Sequence, residues 1–375
     1  MRHRILEYIC LELKSLGLDC TSRTYNELID CIRKYKLQEP IPKMKYIESR
    51  TKGIHSDVLT DTLQYSNISE AISGNFGTLY TIFRIKKENT DNAFLKVPKH
   101  KETSSLHIEA VLQAISNITL SWYGFPWAVP RVLDIVRHPH FGISFSMEKC
   151  TDATLFKNYL EEHLDWGIQT ETNDYLILGV ISQLATYLAI LEEELILNHR
   201  DLTGSNVLMI VPTEPTQKVV VVGTNIWTLY ITHKTILVDF GFACLGSIPS
   251  KKITVSAGDY FADTDFCPKE GRDLFLFIAS LWQNRLLRKS MTQKTQQLIH
   301  KWLSTSGKNN WAQWIEAATT MDMRSMYLLT MSSPFSNANT KPIHVLKDIS
   351  SVFPLLVYFH ERKRSSTPIP KALYE

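Results

Sequence analysis

Two short polar motifs, each placed directly after an apolar stretch, put the strongest constraint on how this chain folds. The first is HRDLTGSN at residues 199–206, and the second is DFG at residues 239–241, which follows TILV. Polar motifs in this position are typical of loops at the edge of a packed core. We therefore expect one core to carry both loops.

The side chains in these loops have a chemistry in common. Asp201 can accept a proton from a hydroxyl group, as a general base does. Asn206 and Asp239 offer amide and carboxylate oxygens, the hard ligands that Mg²⁺ prefers. Phosphoryl transfer needs a positioned acceptor hydroxyl, metal ions on the phosphates and neutralised charge. The motifs indicate a reaction of this type.

The periodicity of the chain predicts an α+β fold. Residues 77–85 and 93–97 are rich in β-branched and aromatic residues around a polar turn, which indicates two strands. Residues 104–115 have helical spacing. Beyond residue 150, apolar residues recur every three or four positions, notably from Ile177 to Leu191, which predicts mainly helices.

Four sections follow from this change of pattern. We predict a helical N-terminal extension over residues 1–60, a β-rich part over 61–147, a mostly helical part over 148–360 and a tail over 361–375. Two β-rich runs around Gly-Thr-Asn predict an extra hairpin at about residues 210–235.

Composition excludes several classes of function. The chain has 375 residues and a net charge of +3, too weak to indicate nucleic-acid binding. No apolar run is expected to be long enough to span a membrane. The six cysteines include no CxxC pair, so we expect neither a zinc site nor disulfides, but reduced thiols in an intracellular protein.

HRDLTGSN and DFG resemble the catalytic loop and metal-binding turn of the eukaryotic-type protein kinase superfamily. The resemblance implies a bilobal fold, with a small β-rich lobe and a larger helical one. It implies Asp201 as catalytic base, Asn206 and Asp239 as Mg²⁺ ligands, and ATP as phosphoryl donor. Asn206 and Asp239 are 33 positions apart, and this long insertion resembles haspin-like kinases and the kinases of large DNA viruses.

Upstream residues extend the resemblance. SGNFGTLY resembles the second half of the family's Gly-rich loop, which implies that Gly74 and Gly77 let backbone amides approach phosphates. Ile72 stands where the first glycine would be. Lys96, in AFLKV, matches the strand lysine that binds phosphates, with Lys99 and Lys101 as nearby alternatives.

The resemblance implies three further sets of residues. Glu109 is expected to pair with Lys96, and Glu102 is an alternative. FSMEKC resembles the hinge that binds adenine, through Met147, Glu148 and Cys150. Asp273 resembles the helix aspartate that braces the catalytic loop, although a carboxylate at this position is also an ordinary helix cap.

Some residues depart from the family pattern. Thr203 occupies the place of the usual lysine after the base, and no Ala-Pro-Glu follows the DFG motif. The expected function is transfer of the γ-phosphoryl group of Mg-ATP to a Ser or Thr of a protein substrate. A pseudokinase acting as a scaffold and a small-molecule kinase are the alternatives. No nucleic-acid or membrane partner is expected.

Overall fold

The computed structural model describes residues 2–37, 45–46, 58–60, 63–73, 77–86, 89–99, 106–138, 142–212, 214–247, 253–258, 265–304, 311–317 and 339–360. Within these ranges the fold is α+β, as the sequence predicts. The helices are α1 (Arg2–Ser15), α2 (Tyr25–Leu37), α3 (Leu106–Trp122), α4 (Phe156–His163), α5 (Glu171–Glu194), α6 (Arg272–Gln283), α7 (Arg285–Ser290), α8 (Gln293–Trp302), α9 (Trp311–Ala317) and α10 (Pro342–Val352).

A seven-stranded sheet dominates the first part of the chain. Its strands are β1 (Lys45–Tyr46), β2 (Val58–Thr60), β3 (Leu63–Ser73), β4 (Gly77–Lys86), β5 (Asn89–Pro98), β6 (Val132–His138) and β7 (Gly142–Glu148). They are ordered β1-β6-β7-β5-β4-β3-β2, and every neighbouring pair is antiparallel except β1 with β6. Helix α3 packs against β6 and β7 and shares a core with them, whereas the buried hydrophobic residues of β3, β4 and β5 form a second, smaller cluster.

Three small sheets lie within the helical part. Their strands are β8 (Thr154–Leu155), β9 (Leu197–Asn198), β10 (Val207–Ile210), β11 (Thr216–Val222), β12 (Asn225–Ile231), β13 (Lys234–Leu237), β14 (Cys244–Gly246), β15 (Ile253–Ser256) and β16 (Val357–Phe359). The strand orders are β13-β10-β8, β11-β12-β16 and β15-β14-β9. These pairings hold the two polar motifs close together, because β9 and β10 flank the first motif, and β13 and β14 flank the second.

A β-hairpin, β11–β12, lies where the sequence predicts one. Val222 pairs with Asn225 across its turn, and β16 adds a third strand. One face is buried on α5, where the indole Nε1 of Trp227 donates to Thr186 Oγ1 at 3.2 Å. Trp227 is fully buried, so the hairpin is docked on the helical core.

Helix α5 is the central helix of that core. Thr170 caps its start by accepting a hydrogen bond from the Asn173 amide, a common helix N-terminal signal. Contrary to expectation, α5 is long and apolar enough to cross a membrane, and it is the one such helix in the described ranges. However, 89% of its apolar window is buried inside the protein, so its apolar residues serve the core.

The N-terminal helices belong to the main core. Ile9 and Leu13 of α1 and Leu28 and Ile32 of α2 are fully buried in it, and α1 packs along α3. The phenol oxygen of Tyr25 lies 2.6 Å from the Leu195 carbonyl and 3.0 Å from the Gly246 carbonyl, 170 and 221 residues along the chain, and its one proton is shared between them. Residues 2–37 are therefore an integral layer of the fold.

The expectation of reduced thiols throughout is wrong. Cys20 and Cys31 form a disulfide, which joins the segment after α1 to α2. Their Cα atoms lie 6.1 Å apart, a normal separation for a disulfide. The spacing of eleven residues does not indicate this pairing by itself; the turn between the two helices brings the cysteines together.

Candidate active site

Lys96 lies at the meeting point of three elements that are distant in sequence. Its ammonium Nζ is 2.6 Å from Glu109 Oε1 and 2.9 Å from Asp239 Oδ1. Lys96 is on β5, Glu109 is in the first turn of α3, and Asp239 follows β13. The structure thus places the predicted lysine, its predicted helix partner and the DFG aspartate in one cluster.

Burial differs strongly within this cluster. The side chains of Lys96 and Glu109 are 15% and 3% exposed, whereas that of Asp239 is 48% exposed. Burial lowers the pKa of Lys96, but the carboxylates of Glu109 and Asp239 outweigh it and hold this pKa above its ordinary value. Burial raises the pKa of Glu109 to about 7, although the Lys96 ammonium opposes the rise. The lysine is therefore charged at neutral pH.

Asp239 forms the open side of the cluster. Burial raises its pKa, but the charge and hydrogen bond of Lys96 outweigh this effect and leave the pKa below its ordinary value. The residue has a φ of 65°, a left-handed conformation that costs a non-glycine residue energy and is concentrated at functional sites. Asp239 therefore presents a charged, partly exposed carboxylate.

Asp201 and Asn206 are linked directly. The Asn206 amide Nδ2 donates to the backbone oxygen of Asp201 at 2.7 Å and to its carboxylate Oδ2 at 2.9 Å. Burial raises the pKa of Asp201, and the charge of Asp239 adds to this, although His199 opposes it. The pKa of an efficient general base lies near the working pH. A raised pKa therefore makes the Asp201 carboxylate a better base at neutral pH.

The backbone joins this pair to Asp239. The Val238 amide donates to the Asn206 carbonyl at 3.1 Å, and β10 pairs with β13 immediately beyond, with Val207 opposite Leu237. Asn206 therefore lies beside the residue that precedes Asp239. The two predicted metal ligands are held by one antiparallel ladder despite the 33 positions between them.

Asp273 holds the backbone of the first motif by hydrogen bonds. Its fully buried carboxylate accepts hydrogen bonds from the His199 and Arg200 amides, both at 2.7 Å, and from Asn198 Nδ2 at 3.2 Å. Arg200 has a φ of 67°. Asp273 lies in the first turn of α6, where a carboxylate also favours the helix dipole. It fixes the backbone immediately before Asp201.

Gly77 is the described member of the predicted Gly-rich loop. A Cβ atom at this position would lie 2.9 Å from the Val97 carbonyl oxygen and 3.6 Å from side-chain carbons of Lys96. The close approach of the β4 backbone to the Val97 carbonyl requires a residue without a side chain, and the contacts to Lys96 are ordinary van der Waals contacts. Gly74 lies outside the described residues.

The alternatives for the lysine and the glutamate are partly resolved. Lys99 is exposed one residue beyond the end of β5, and Lys96 makes the contacts with Glu109 and Asp239. Lys101 and Glu102 lie outside the described residues. The alternation of the strand explains the outcome, because Leu95 and Val97 face the sheet core while Lys96 points to the opposite face.

Met147, Glu148 and Cys150 lie along the end of β7 and just beyond it. Met147 is half-buried and pairs with Phe94, two positions from the Lys96–Phe145 pair on the same two strands. The Glu148 amide donates to the Arg131 carbonyl at 2.9 Å, and its side chain is exposed. Burial raises the pKa of Cys150 to about 11, so its thiol is neutral.

Two residues with further contacts were not assigned roles from the sequence. His199 Nε2 lies 3.0 Å from the Val238 carbonyl, and Arg200 Nε donates to the Phe242 carbonyl at 2.5 Å. The Arg200 guanidinium also donates to Ser256 Oγ. Both residues tie the first motif to the chain around the second. In the sequence, their position directly before Asp201 was the one feature that could have indicated these roles.

The oxygen donors suit a small hard cation. Among the described residues, no group of three or more His, Cys, Asp or Glu side chains could hold a metal ion by itself. Mg²⁺ is usually held by one or two carboxylates together with substrate phosphates. The carboxylate of Asp239 and the amide oxygen of Asn206 fit that requirement.

No protein-family model matches the chain, and neither does any curated protein.

Proposed function

We propose that this protein is an ATP-dependent protein kinase that phosphorylates Ser or Thr residues, built on the bilobal kinase fold. The seven-stranded sheet with α3 would be the small lobe, and the residues from about 148 onward the large one. One observation carries the proposal. Lys96, Glu109 and Asp239 form one hydrogen-bonded cluster, and the ladder that ends at Val238 also positions Asn206 and Asp201.

Each charged residue has a role in this proposal. Lys96 carries the positive charge that would neutralise donor phosphates, and Glu109 holds its ammonium in place at 2.6 Å. Asn206 and Asp239 would hold Mg²⁺, which supplies charge neutralisation on the β- and γ-phosphates when bound. Because catalysis of phosphoryl transfer is mainly positioning and electrostatics, this set of side chains supports the reaction.

Asp201 would accept the proton of the substrate hydroxyl. Its hydrogen bond from Asn206 orients the carboxylate, and its raised pKa favours proton transfer near neutral pH. Thr203 is bonded to Ser205 through their hydroxyl groups, 2.6 Å apart. A hydroxyl pair thus occupies the position at which the family usually has a lysine, so this chain lacks one charge close to the acceptor.

A pseudokinase is the alternative that particular residues favour. Ile72 replaces a glycine of the phosphate loop, and Thr203 replaces the lysine. Such a protein would bind nucleotide, or none, without transferring phosphate. A small-molecule kinase of related fold is the other alternative; such kinases more often have His-Gly-Asp and a different metal-binding turn, so the HRD and DFG motifs of this chain argue against it.

The test is an assay of phosphate transfer from γ-labelled ATP with Mg²⁺ to mixed protein and metabolite acceptors, followed by phosphoamino-acid analysis. The variants are Lys96→Met, Asp201→Asn and Asp239→Ala. Lys99→Met is the matched control, because Lys99 is an exposed lysine three residues away. Removing a general base typically costs about 10²- to 10⁴-fold in rate, so Asp201→Asn should lower transfer by that amount.

The outcomes separate the three functions. Labelled phosphoserine or phosphothreonine that is lost in the three variants and kept in Lys99→Met supports a protein kinase. Label in a metabolite alone indicates a small-molecule kinase. Thermal stabilisation by Mg-ATP without transfer indicates a nucleotide-binding pseudokinase. Absence of both stabilisation and transfer would contradict the assigned nucleotide site and leave only a scaffold that binds no nucleotide.

A further inference from the structure

Two cysteines face each other at the base of the chain segment that follows the DFG motif. Cys244 is the first residue of β14, and Cys267 lies 23 residues later, immediately before Pro268 and five residues before the start of α6. Their sulfur atoms are 2.6 Å apart. Both side chains are fully buried, and neither has a role in the chemistry described above.

The backbone holds these sulfurs together from both sides. On one side, β14 pairs with β9, with Cys244 opposite Asn198. On the other, the Lys269 amide donates to Asn198 Oδ1 at 2.6 Å. A Cβ atom at Gly246 would lie 1.6 Å from the Cys267 carbonyl oxygen, so the two stretches pack in direct backbone contact. The approach of the sulfurs is a consequence of this packing.

The sulfur–sulfur separation is close to that of a covalent bond. A disulfide has an S–S distance of about 2.0 Å, and the observed 2.6 Å needs only a small adjustment to reach it.

The surroundings make the two thiols unequal. Burial raises the pKa of Cys244, but the hydrogen bond with Cys267 and the charges of Arg200 and Arg272 outweigh it and leave this pKa below its ordinary value. Burial and the neighbouring Cys244 raise the pKa of Cys267 well above its own. The thiolate is the nucleophile in disulfide exchange. Cys244 is therefore the attacking residue.

We propose that Cys244 and Cys267 are a redox pair, which forms a reversible disulfide that joins the two ends of the segment after the DFG motif beside the catalytic loop. The pair is independent of the proposed phosphotransfer, because it rests on the sulfur contact, its burial and the backbone packing around it. The bond would fix β14 to the segment that leads into α6, the helix that carries Asp273.

The oxidant we name is a low-molecular-weight disulfide such as oxidised glutathione. The Cys244 thiolate attacks one sulfur of that disulfide and displaces one glutathione thiolate, leaving a mixed disulfide on Cys244. Cys267 then loses its proton, and its sulfur attacks the Cys244 sulfur and displaces the second glutathione. Two protein thiols are oxidised to a disulfide, and one glutathione disulfide is reduced to two thiols. Because both sulfurs are buried, the exchange requires local opening of the fold.

The first test maps the disulfides of the full-length wild-type protein. The protein is equilibrated with oxidised glutathione, its free thiols are alkylated, and non-reduced peptides are identified by mass spectrometry. The expected result is a linked peptide pair that contains Cys244 and Cys267, in addition to Cys20–Cys31. A reducing agent should release Cys244 and Cys267. Alkylation of both as free thiols, or a stable glutathione adduct on either, overturns the proposal.

The second test measures what the bond does to the backbone. Amide hydrogen exchange in the peptides covering residues 244–246 and 267–271 should slow by about tenfold or more on oxidation, because a cross-link closing a loop of this length restricts opening. Cys267→Ala should abolish the change. Cys10→Ser is the matched control, because Cys10 is half-buried in α1 and bonds only the Ser22 carbonyl among the described contacts. Equal exchange in oxidised and reduced wild type contradicts the proposal.

Discussion

Replacement of Asp273 tests whether the HRDLTGSN loop depends on one buried carboxylate. This residue accepts three hydrogen bonds, two of them from consecutive backbone amides at 2.7 Å, and it has no solvent exposure. In Asp273→Ala those donors lose their partner in a place that water does not reach. In Asp273→Asn the side chain keeps its shape, but one of its two oxygens becomes an NH₂ group that cannot accept.

The magnitude follows from the number of donors left without a partner. A buried donor without an acceptor costs about 1–3 kcal/mol. Asp273→Ala strands the His199 and Arg200 amides, so we expect a loss of about 2–6 kcal/mol in the free energy of unfolding. Asp273→Asn strands one of them and should cost about 1.5–3 kcal/mol. Arg200 also needs the brace because its φ of 67° is unfavourable for a residue with a side chain.

The assay is urea unfolding, followed by tryptophan fluorescence, on wild type and both variants. Asp348→Asn is the matched control. Asp348 accepts bonds from Lys301 Nζ at 2.7 Å and Trp302 Nε1 at 3.0 Å, remote from the loop. Its one remaining oxygen can still serve Trp302, so the control should lose less than about 1 kcal/mol.

The order of the losses in stability among the three variants tests whether Asp273 holds the loop. We expect alanine to be the most destabilising, asparagine intermediate and the control the least. In the folded fraction, Asp273→Asn should also lower phosphotransfer, since it moves the backbone before Asp201. Equal stability of Asp273→Ala and wild type within about 0.5 kcal/mol would refute the account of the loop given above.

Three further predictions concern separate features. Tyr25→Phe removes a buried hydroxyl that bonds two carbonyl oxygens and should cost about 1–2 kcal/mol in urea unfolding; an unchanged stability would show that α2 is not anchored by this contact. Glu109 has a folded pKa of about 7, so the folded state keeps a proton that the unfolded chain releases near pH 4. Ionisation of this group therefore lowers the free energy of unfolding as the pH rises from about 4 to about 7. The stability of Glu109→Gln relative to wild type should therefore increase by about 1–3 kcal/mol from about pH 5 to about pH 8, and a constant difference would contradict this. Gly271→Ala should destabilise by about 2–4 kcal/mol in the same experiment, because its φ is 77° and a Cβ would lie 2.6 Å from Thr340 backbone atoms. Gly223→Ala is the control. Its φ is also positive, but a Cβ there would meet open space, so it should cost only about 1–2 kcal/mol.

Local patterns in the sequence were sufficient for the α+β class, whereas Lys96 was preferred to Lys99 and Lys101 because it matches the strand lysine of the kinase family that the chain resembles. Lys96 alternates with the buried Leu95 and Val97, and strand alternation alone places it on the opposite face. Strand alternation is a property of a few neighbouring residues, so it can be interpreted without knowledge of the rest of the chain. Helical spacing did not choose between Glu109 and Glu102, which lies seven residues earlier, so the pairing of Glu109 with Lys96 was an implication of the resemblance.

Contacts between distant segments could not be predicted in this way. The Cys20–Cys31 disulfide depends on how the chain turns between two helices, and the docking of Tyr25 depends on carbonyl groups up to 221 residues away. The sequence also lacks the family's Ala-Pro-Glu, but the structure has a buried pair nearby, in which the Arg272 guanidinium donates to both oxygens of Asp265 at 2.6 and 2.7 Å. No short pattern indicates that pairing.

Two residues with unfavourable backbone conformations, and the contacts that hold them, explain why the candidate site needs the whole fold. Arg200 and Asp239, at the two motifs, both have positive φ, a conformation that persists only when surrounding contacts impose it. For Arg200 those contacts are the Asp273 carboxylate from α6 and the Phe242 carbonyl. For Asp239 they include Lys96 from the seven-stranded sheet. The conformations of both motifs are thus held by elements that do not themselves contain the motifs, and a substitution that loosens either support should disturb the site before it unfolds the protein.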